Sequence, residues 1–222
     1  MGPLSLRRRV EPSLHVDVYE VKLGDEFLMS SLFTVAELQL ARLGLVEAEG
    51  DHLDVLVGGL GLGYTALAVL DDPRVRSLTV VEALPEVIDW HHRQLLPETA
   101  ALTADARARL VRGDFFERVR NGRGFTAAAP ERYHAILVDI DHSPRHVLNP
   151  SHAGFYTADG LQALTDRLHP AGVFGLWSDD PPDDVFLAEL TDVFTTTSAH
   201  VVSFPNPLTG GQSANTVYVS QR

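Results

Sequence analysis

Residues 55–66 read Val-Leu-Val-Gly-Gly-Leu-Gly-Leu-Gly-Tyr-Thr-Ala, an apolar run that breaks into glycines and then enters a helix-forming segment. Gly59, Gly61 and Gly63 allow backbone torsions that a Cβ forbids, and the N-terminus of a following helix presents unpaired N–H groups to a ligand. The pattern therefore predicts a strand, a cofactor-binding glycine-rich turn and a helix. The spacing of Gly61, Gly63 and Ala66 also fits the looser dinucleotide fingerprint, so an NAD-type site and a purely structural turn are the alternatives.

Short apolar runs rich in β-branched residues alternate with helical segments in the rest of the chain, which is the pattern of βαβ units and a buried parallel sheet. We predict five parallel strands, at 53–57, 78–81, 109–111, 135–138 and 173–177. The predicted helices lie at 64–70, 85–96, 158–168 and 183–193. Two more strand-like runs, 200–204 and 216–220, are joined by a loop without a helix, which predicts an antiparallel hairpin. The expected fold is a Rossmann-like α/β fold with a mostly parallel seven-stranded sheet that ends in an antiparallel hairpin.

The first 50 residues follow a different pattern. Alternating apolar residues around a turn over 15–29 predict a short N-terminal β-hairpin. Thr34 and Glu37 have the spacing of a capping box and predict the start of a helix, for which Gly44 is the natural end. The chain is therefore divided into a β-hairpin with a linking helix, residues 1–50, and a main α/β domain, residues 51–222.

The composition excludes several classes of function. With 45% apolar and 22% charged residues among 222, the chain has the composition of a globular protein with one sizeable core. The absence of cysteine excludes disulfides, thiolate metal sites and cysteine nucleophiles. A net charge of −12 disfavours nucleic acid as a partner. No apolar run approaches the roughly 18 residues of a membrane span, and the N-terminus lacks the apolar core of a signal peptide, so we expect a cytoplasmic protein without a membrane partner.

Acidic residues follow two of the predicted strands at positions typical of nucleoside binding. Glu82 comes 19 residues after Gly63, where a carboxylate can accept both hydroxyl protons of a ribose. Asp114 can accept a hydrogen bond from the exocyclic amino group of a base, with Phe115 or Phe116 against the face of that base. A solvated strand-end acid at Glu82 and a strand-to-loop cap at Asp114 are the structural alternatives.

The fourth predicted parallel strand ends in Asp139, Asp141 and His142. Ligands of open α/β sheets bind at this edge, and an acid that emerges from an apolar run can act as a general base or bind an amine. Asp139 is therefore the first catalytic candidate, with Asp141 and His142 behind it, and a helix cap is the structural alternative. Together with His146 and His152, these residues could form a metal site with two histidines and one carboxylate. No i, i+4 pair on a predicted helix includes a carboxylate, so we predict no metal site.

These segments together resemble the spermidine synthase family of class I S-adenosylmethionine-dependent transferases. Residues 59–63 match the family's motif I, and residues 80–88 resemble its Val-Glu-x-x-Pro-Glu-Val segment. Gly113 and Asp114 match the adenine-contacting pair, and Asp139 stands where the Asp-Ser-x-Asp-Pro catalytic segment begins. The resemblance runs from about residue 53 to the C-terminus, and the N-terminal hairpin is similar to an abbreviated form of the family's small β domain.

The resemblance implies a class I methyltransferase fold and a role for each candidate residue. It implies binding of S-adenosylmethionine or its decarboxylated form, with Glu82 on the ribose hydroxyls, Asp114 on the adenine amino group and Asp139 beside the reacting amine. The cofactor-binding candidates are Gly59, Gly61, Gly63, Glu82, Asp114 and Phe115. The partner is then a small-molecule acceptor, an amine among the candidates, and the oligomeric state, a homodimer included, is left open.

Three positions depart from the family's pattern. The motif I aspartate that contacts the aminopropyl end of the cofactor falls at Leu62, and the second catalytic aspartate is replaced by His142. The family's Tyr-His-Glu stretch has no clear counterpart over 32–37. These changes favour methyl transfer over aminopropyl transfer from decarboxylated S-adenosylmethionine. A nucleoside-binding pseudoenzyme and an NAD-dependent oxidoreductase are the remaining alternatives.

Overall fold

The described part of the protein, residues 3–97, 99–127 and 129–222 of a computed structural model, contains two β-sheets. An N-terminal antiparallel sheet has the order β1-β2-β3, and a seven-stranded sheet has the order β6-β5-β4-β7-β8-β10-β9. The strands are β1 (Leu4–Glu11), β2 (Val16–Leu23), β3 (Glu26–Ser30), β4 (Leu53–Gly58), β5 (Val75–Glu82), β6 (Ala108–Arg112), β7 (Tyr133–Val138), β8 (Leu168–Ser178), β9 (Thr196–Asn206) and β10 (Gly211–Gln221).

Helices cover both faces of the large sheet. They are α1 (Val35–Glu47), α2 (Tyr64–Leu70), α3 (Pro85–His92), α4 (Thr99–Ala104), α5 (Phe115–Arg120), α6 (Ala158–Thr165) and α7 (Asp184–Val193), and a 3-10 segment spans Pro150–Tyr156. One apolar core lies between the sheet and the first four helices, and a second, rich in aromatic rings, lies under α5, α6 and α7. No helix in the described ranges combines the length and the apolar character that a bilayer crossing requires.

The predicted fold class is confirmed. The pairs β4–β5, β5–β6, β4–β7 and β7–β8 are parallel, whereas β10 runs antiparallel to both β8 and β9. Strand β4 is buried along its whole length, as its largely apolar sequence predicts for a central parallel strand. The carboxyl ends of β4, β5, β6 and β7 therefore meet at one edge of the sheet, where the candidate residues lie.

The N-terminal part is larger than the predicted hairpin. Strand β1 pairs with β2 along its whole length and turns the hairpin into a three-stranded sheet. The arginine-rich sequence of β1 does not have the apolar alternation that predicts a strand. Its charged side chains instead form ion pairs across the sheet: Arg8 contacts Asp17, and Arg9 contacts Glu20. The division of the chain at residue 50 stays a prediction.

Three predicted helix ends were wrong. The helix predicted over 158–168 ends at Thr165, and β8 begins at Leu168. Helix α1 continues past Gly44, which is buried inside it; a Cβ there would lie 2.6 Å from Leu137 Cδ2, so this glycine allows close helix-to-sheet packing and does not end the helix. Helix α3 stops at His92, because Gln94 adopts a positive φ of 56° and the Leu95 N–H bonds to the Trp90 carbonyl, which is the Schellman arrangement of a helix end.

Candidate functional site

The glycine-rich turn between β4 and α2 forms the floor of a cavity at the carboxyl edge of the large sheet. Gly59, Gly61 and Gly63 have φ values of 95°, 46° and 92°, a region that residues with a Cβ rarely adopt. A Cβ on Gly59 would also collide with the carbonyl oxygen of Asp139, and one on Gly61 would lie 2.6 Å from Met29 Cε. The turn therefore depends on glycine both for its torsions and for close packing. Gly59 and Gly61 line the main cavity, and Gly63 lines the compartment next to it.

Glu82 stands at the end of β5 beside this turn. Its Oε2 accepts a hydrogen bond from the Leu60 N–H at 3.0 Å, and its Oε1 accepts one from the Leu84 N–H at 2.8 Å. Burial raises the pKa of its carboxyl group, while these backbone N–H groups act in the opposite direction. The solvated strand-end alternative is wrong, because the side chain is only 9% exposed and lines the cavity. The carboxylate therefore faces both the turn and the cavity.

The next strand end contributes Asp114 and two phenylalanines to the same cavity. Asp114 is the N-cap of α5, and its Oδ1 accepts a hydrogen bond from the Glu117 N–H at 2.9 Å. The cap that was the structural alternative is therefore present, and the same side chain also lines the cavity. The Phe115 ring is buried against Gly58, where a Cβ would come within 2.9 Å of it. This face of the cavity is apolar and suits a flat ring.

Asp139 follows β7 and lies where the main cavity meets the smaller compartment. Its Oδ2 accepts a hydrogen bond at 2.8 Å from Thr65 Oγ1 in the first turn of α2. Loss of solvent raises its pKa to about 6, although the Thr65 hydroxyl lowers it. The helix-cap alternative finds no support in this contact, since its partner is a threonine side chain on a neighbouring helix.

Glu37 is the residue that the sequence analysis missed. The capping-box interpretation assigned its side chain to the start of α1, but the N-cap Thr34 makes no side-chain capping bond, and Glu37 lines the smaller compartment with Asp139. Burial, followed by the negative charges of Asp139 and Asp179, raises the pKa of Glu37 to about 8. Nothing in the local sequence pattern distinguishes a capping glutamate from one that faces a cavity.

His142 lies at the junction of three compartments and contacts the N-terminal sheet. It lines the main cavity, the smaller compartment and a third compartment that opens beyond them, and its Nε2 lies 3.5 Å from Glu26 Oε1 in β3. The third compartment is lined by both aromatic and acidic side chains, among them Phe33, Trp177, Asp179 and Glu37. The N-terminal sheet thus closes one side of the site.

Asp141 does not line these compartments in the described part of the chain, in contrast to its prediction as a catalytic candidate. Its carboxylate is fully buried and accepts hydrogen bonds from the Leu148 N–H at 2.8 Å and the Tyr156 hydroxyl at 2.9 Å. His152 Nδ1 lies 2.9 Å and 3.1 Å from its two oxygens. Asp141 is directed away from the cavity by these three partners, and it holds the segment after β7 in place through them.

Among the described residues, no three metal-ligating side chains come together. His146 instead bonds to Asp180, and His152 bonds to Asp141. The histidines of this segment are therefore separated by their carboxylate partners.

The site is lined by acidic side chains. Five acidic residues line the three compartments, and no lysine or arginine is among their described lining residues. The acids are Glu37, Glu82, Asp114, Asp139 and Asp179. A cavity of this sign attracts cationic ligands, such as a sulfonium or an ammonium group.

No protein-family model matches the chain, but individual relatives do. A polyamine aminopropyltransferase of Bacillus mycoides is 27% identical over 157 residues, which cover 68% of this chain and 52% of that protein. Putrescine N-methyltransferase 2 of Nicotiana tabacum is 32% identical over 120 residues, which cover 54% of this chain and 30% of that protein. The chain thus matches about half of the first relative and less than a third of the second.

Solved structures share the fold over most of the chain. The spermidine synthase of Thermotoga maritima superposes with a TM-score of 0.74 at 20% identity, covering 100% of this chain and 70% of that one. Human methyltransferase-like protein 13, in complex with SAH, gives a TM-score of 0.58 at 24% identity, covering 84% and 77%. The chain has a class I methyltransferase fold of the spermidine synthase type, as the sequence resemblance implied.

Proposed function

We propose that this protein transfers a methyl group from S-adenosylmethionine to a small amine. The observation that carries the proposal is the pair of carboxyl groups, Asp139 and Glu37, beside a glycine-rich turn in an acidic cavity. The relatives that are named as aminopropyl- and N-methyltransferases support an amine acceptor, and the solved structure with SAH supports the nucleoside.

The residues around the glycine-rich turn fit an adenosyl sulfonium compound. Glu82 lines the cavity with a carboxylate that is fixed by backbone N–H groups and can accept hydrogen bonds from the ribose hydroxyls. Asp114 offers an acceptor for the adenine amino group at the apolar end of the cavity, beside Phe115. The sulfonium centre then lies toward Asp139 and Glu37, whose side of the cavity is acidic.

Burial raises the pKa of both carboxyl groups, and the charge of Asp139 raises that of Glu37 further. The pair therefore tends to share one proton near neutral pH, which leaves one carboxylate to act as a base. Asp139 can take a proton from the acceptor ammonium and orient the nitrogen lone pair, while Thr65 fixes the carboxylate through Oδ2. A sulfonium compound held here would supply an activated methyl carbon for the amine nitrogen, with the electrons of the carbon–sulfur bond left on sulfur.

The choice of methyl transfer rests on Leu62. This side chain is 5% exposed and packs with Val21 and Leu96 in an apolar cluster under the N-terminal sheet. The position at which spermidine synthases place an aspartate for the aminopropyl amine is therefore apolar here. A decarboxylated cofactor would lose that ionic contact, whereas S-adenosylmethionine would avoid a repulsive carboxylate at this position.

Aminopropyl transfer is the second candidate, and one observation favours it. No lysine or arginine lines the described compartments, so the carboxylate of S-adenosylmethionine would meet five acids and no cationic side chain. The decarboxylated cofactor carries no such charge.

The reaction products distinguish the two candidates. The protein is incubated with putrescine and either cofactor, and the products are identified by mass spectrometry. We expect a methylated amine from S-adenosylmethionine; an aminopropylated amine from the decarboxylated cofactor, without any methylated product, would reverse the assignment.

Leu62→Asp is expected to shift the ratio of affinities toward the decarboxylated cofactor by at least tenfold, about 1.4 kcal/mol, because it places a carboxylate beside the aminopropyl amine. Leu62→Asn is the matched control, since it introduces a polar side chain of the same size without the charge. Both variants are titrated with both cofactors by calorimetry. An equal shift in the two variants would show that charge at this position does not select the cofactor.

A further inference from the structure

We propose that His152 determines the base specificity of the nucleoside site by accepting a hydrogen bond from the exocyclic amino group of adenine, on the side of that group opposite Asp114. This inference rests on the proposed function, because it requires an adenosyl compound in the cavity. It assigns a role to the buried network of Asp141, His152 and Tyr156, which the chemistry at Asp139 does not use.

The orientation of the His152 ring is fixed by Asp141. Nδ1 lies within 3.1 Å of both carboxylate oxygens, and the same carboxylate accepts hydrogen bonds from the Tyr156 hydroxyl and the Leu148 N–H. All three partners are donors to one buried carboxylate, so Nδ1 carries the proton. In the neutral ring Nε2 then has a lone pair and can only accept a hydrogen bond.

The position of the ring places this acceptor at the base end of the cavity. His152 lines the main cavity together with Asp114 and Phe116, with 13% of its side chain exposed. Its ring stacks on Phe116 at a centroid distance of 4.1 Å and an interplanar angle of 29°. Among the described residues, His152 does not line the compartments that contain Glu37. It is therefore separated from the end of the site proposed for the amine substrate.

The segment that carries His152 is also attached to the helix that Asp114 caps. The Asp114 side chain caps α5 through the Glu117 N–H, and Arg120 at the end of α5 donates a hydrogen bond to the Ser151 carbonyl at 3.4 Å. The two acceptors are thus held by elements that pack on each other, which limits the change in their separation when a base enters.

Two acceptors at the edge of a flat, apolar cavity recognise an amino group. The adenine amino group has two N–H donors in the plane of the ring, and each can bond to one acceptor. Hypoxanthine has a carbonyl oxygen at the same ring position, which would face the lone pairs of both Asp114 and His152. A site built to bond an N–H group rejects the analogue without it more strongly than an apolar pocket does.

The test measures the ratio of the affinities for the adenine compound and its hypoxanthine analogue. S-adenosylhomocysteine and S-inosylhomocysteine are titrated by calorimetry into the unaltered protein, His152→Phe and His146→Phe. The phenylalanine at 152 keeps a ring against Phe116 but removes the acceptor, and His146 is a matched control on the same segment, with 70% of its side chain exposed. We expect His152→Phe to reduce the preference for the adenine compound by at least tenfold, about 1.4 kcal/mol, and His146→Phe to leave it unchanged.

The possible results separate this inference from the proposed function. An unchanged preference in folded His152→Phe would overturn the inference alone, whereas failure of the unaltered protein to bind S-adenosylhomocysteine would overturn both. If His152→Phe does not fold, the N6-methyl analogue tests the unaltered protein directly. Because acceptors on both sides leave no free position for the methyl group, we expect at least tenfold weaker binding, and equal affinities would overturn the inference.

Discussion

Replacement of Asp139 by asparagine is expected to lower turnover by a factor of about 10² to 10⁴, with little change in nucleoside affinity. The asparagine keeps the shape of the side chain and can still bond to Thr65, but it cannot take a proton from the acceptor amine. Steady-state kinetics with a saturating amine gives the turnover, and calorimetry with S-adenosylhomocysteine gives the affinity.

Asp89→Asn is the matched control for this experiment. Asp89 lies on α3 with 55% of its side chain exposed, so the same chemical change there should leave turnover unchanged. Thermal unfolding of both variants separates a catalytic role from a structural one. Parental turnover in folded Asp139→Asn would contradict the assignment and make His142, which lines the same cavity, the next candidate.

Glu37→Gln is expected to stabilise the protein at alkaline pH by an amount on the order of a few kcal/mol. The pKa of Glu37 is about 8 in the folded protein, against an ordinary value of 4.5, so the folded state keeps a proton that the unfolded state releases. Stability from this carboxyl group is fully present below pH 4.5 and is lost as the pH rises to about 8. The glutamine variant cannot ionise and escapes this loss.

Urea unfolding at pH 5 and pH 9 measures the effect. The free energy of unfolding of Glu37→Gln, relative to the unaltered protein, should rise between these two pH values. Glu47→Gln is the control, because Glu47 is exposed at the end of the same helix. Asp139 interacts with Glu37, so the measured difference reports the titration of the pair and not of Glu37 alone. A pH-independent difference between Glu37→Gln and the unaltered protein would show that Glu37 titrates normally.

The parallel core of the fold was predictable because its signals are local. The glycines of the turn, the apolar run of β4 and the strand-end position of Glu82 each follow from the sequence over a few residues. Gly44 misled the prediction for the opposite reason. Its role is to allow contact with Leu137, a residue far away in the chain, and a glycine required for packing has the same local pattern as one that ends a helix.

The site was predictable at its strand ends and not elsewhere. Asp139 and Asp114 lie within two residues of a strand end and line the cavity there, whereas Glu37 reaches it from a helix that packs across the sheet. The sequence also does not distinguish the roles of Asp139 and Asp141, because only the structure shows that Asp141 bonds to His152 and Tyr156.

Calorimetric titration of S-adenosylhomocysteine into the unaltered protein, Glu82→Ala and the exposed control Glu86→Ala tests the central claim most directly, with NAD as the competing nucleotide. We expect S-adenosylhomocysteine to bind and NAD not to bind. Loss of the charged ribose contact should weaken binding to Glu82→Ala by about 1.5 to 3 kcal/mol, roughly 10- to 150-fold, with no change in Glu86→Ala. Glu82→Gln, which keeps the side-chain shape, replaces the alanine variant if thermal unfolding shows that the latter is not folded. Equal affinity in a folded Glu82 variant, or binding of NAD in preference to the adenosyl compound, would contradict the account.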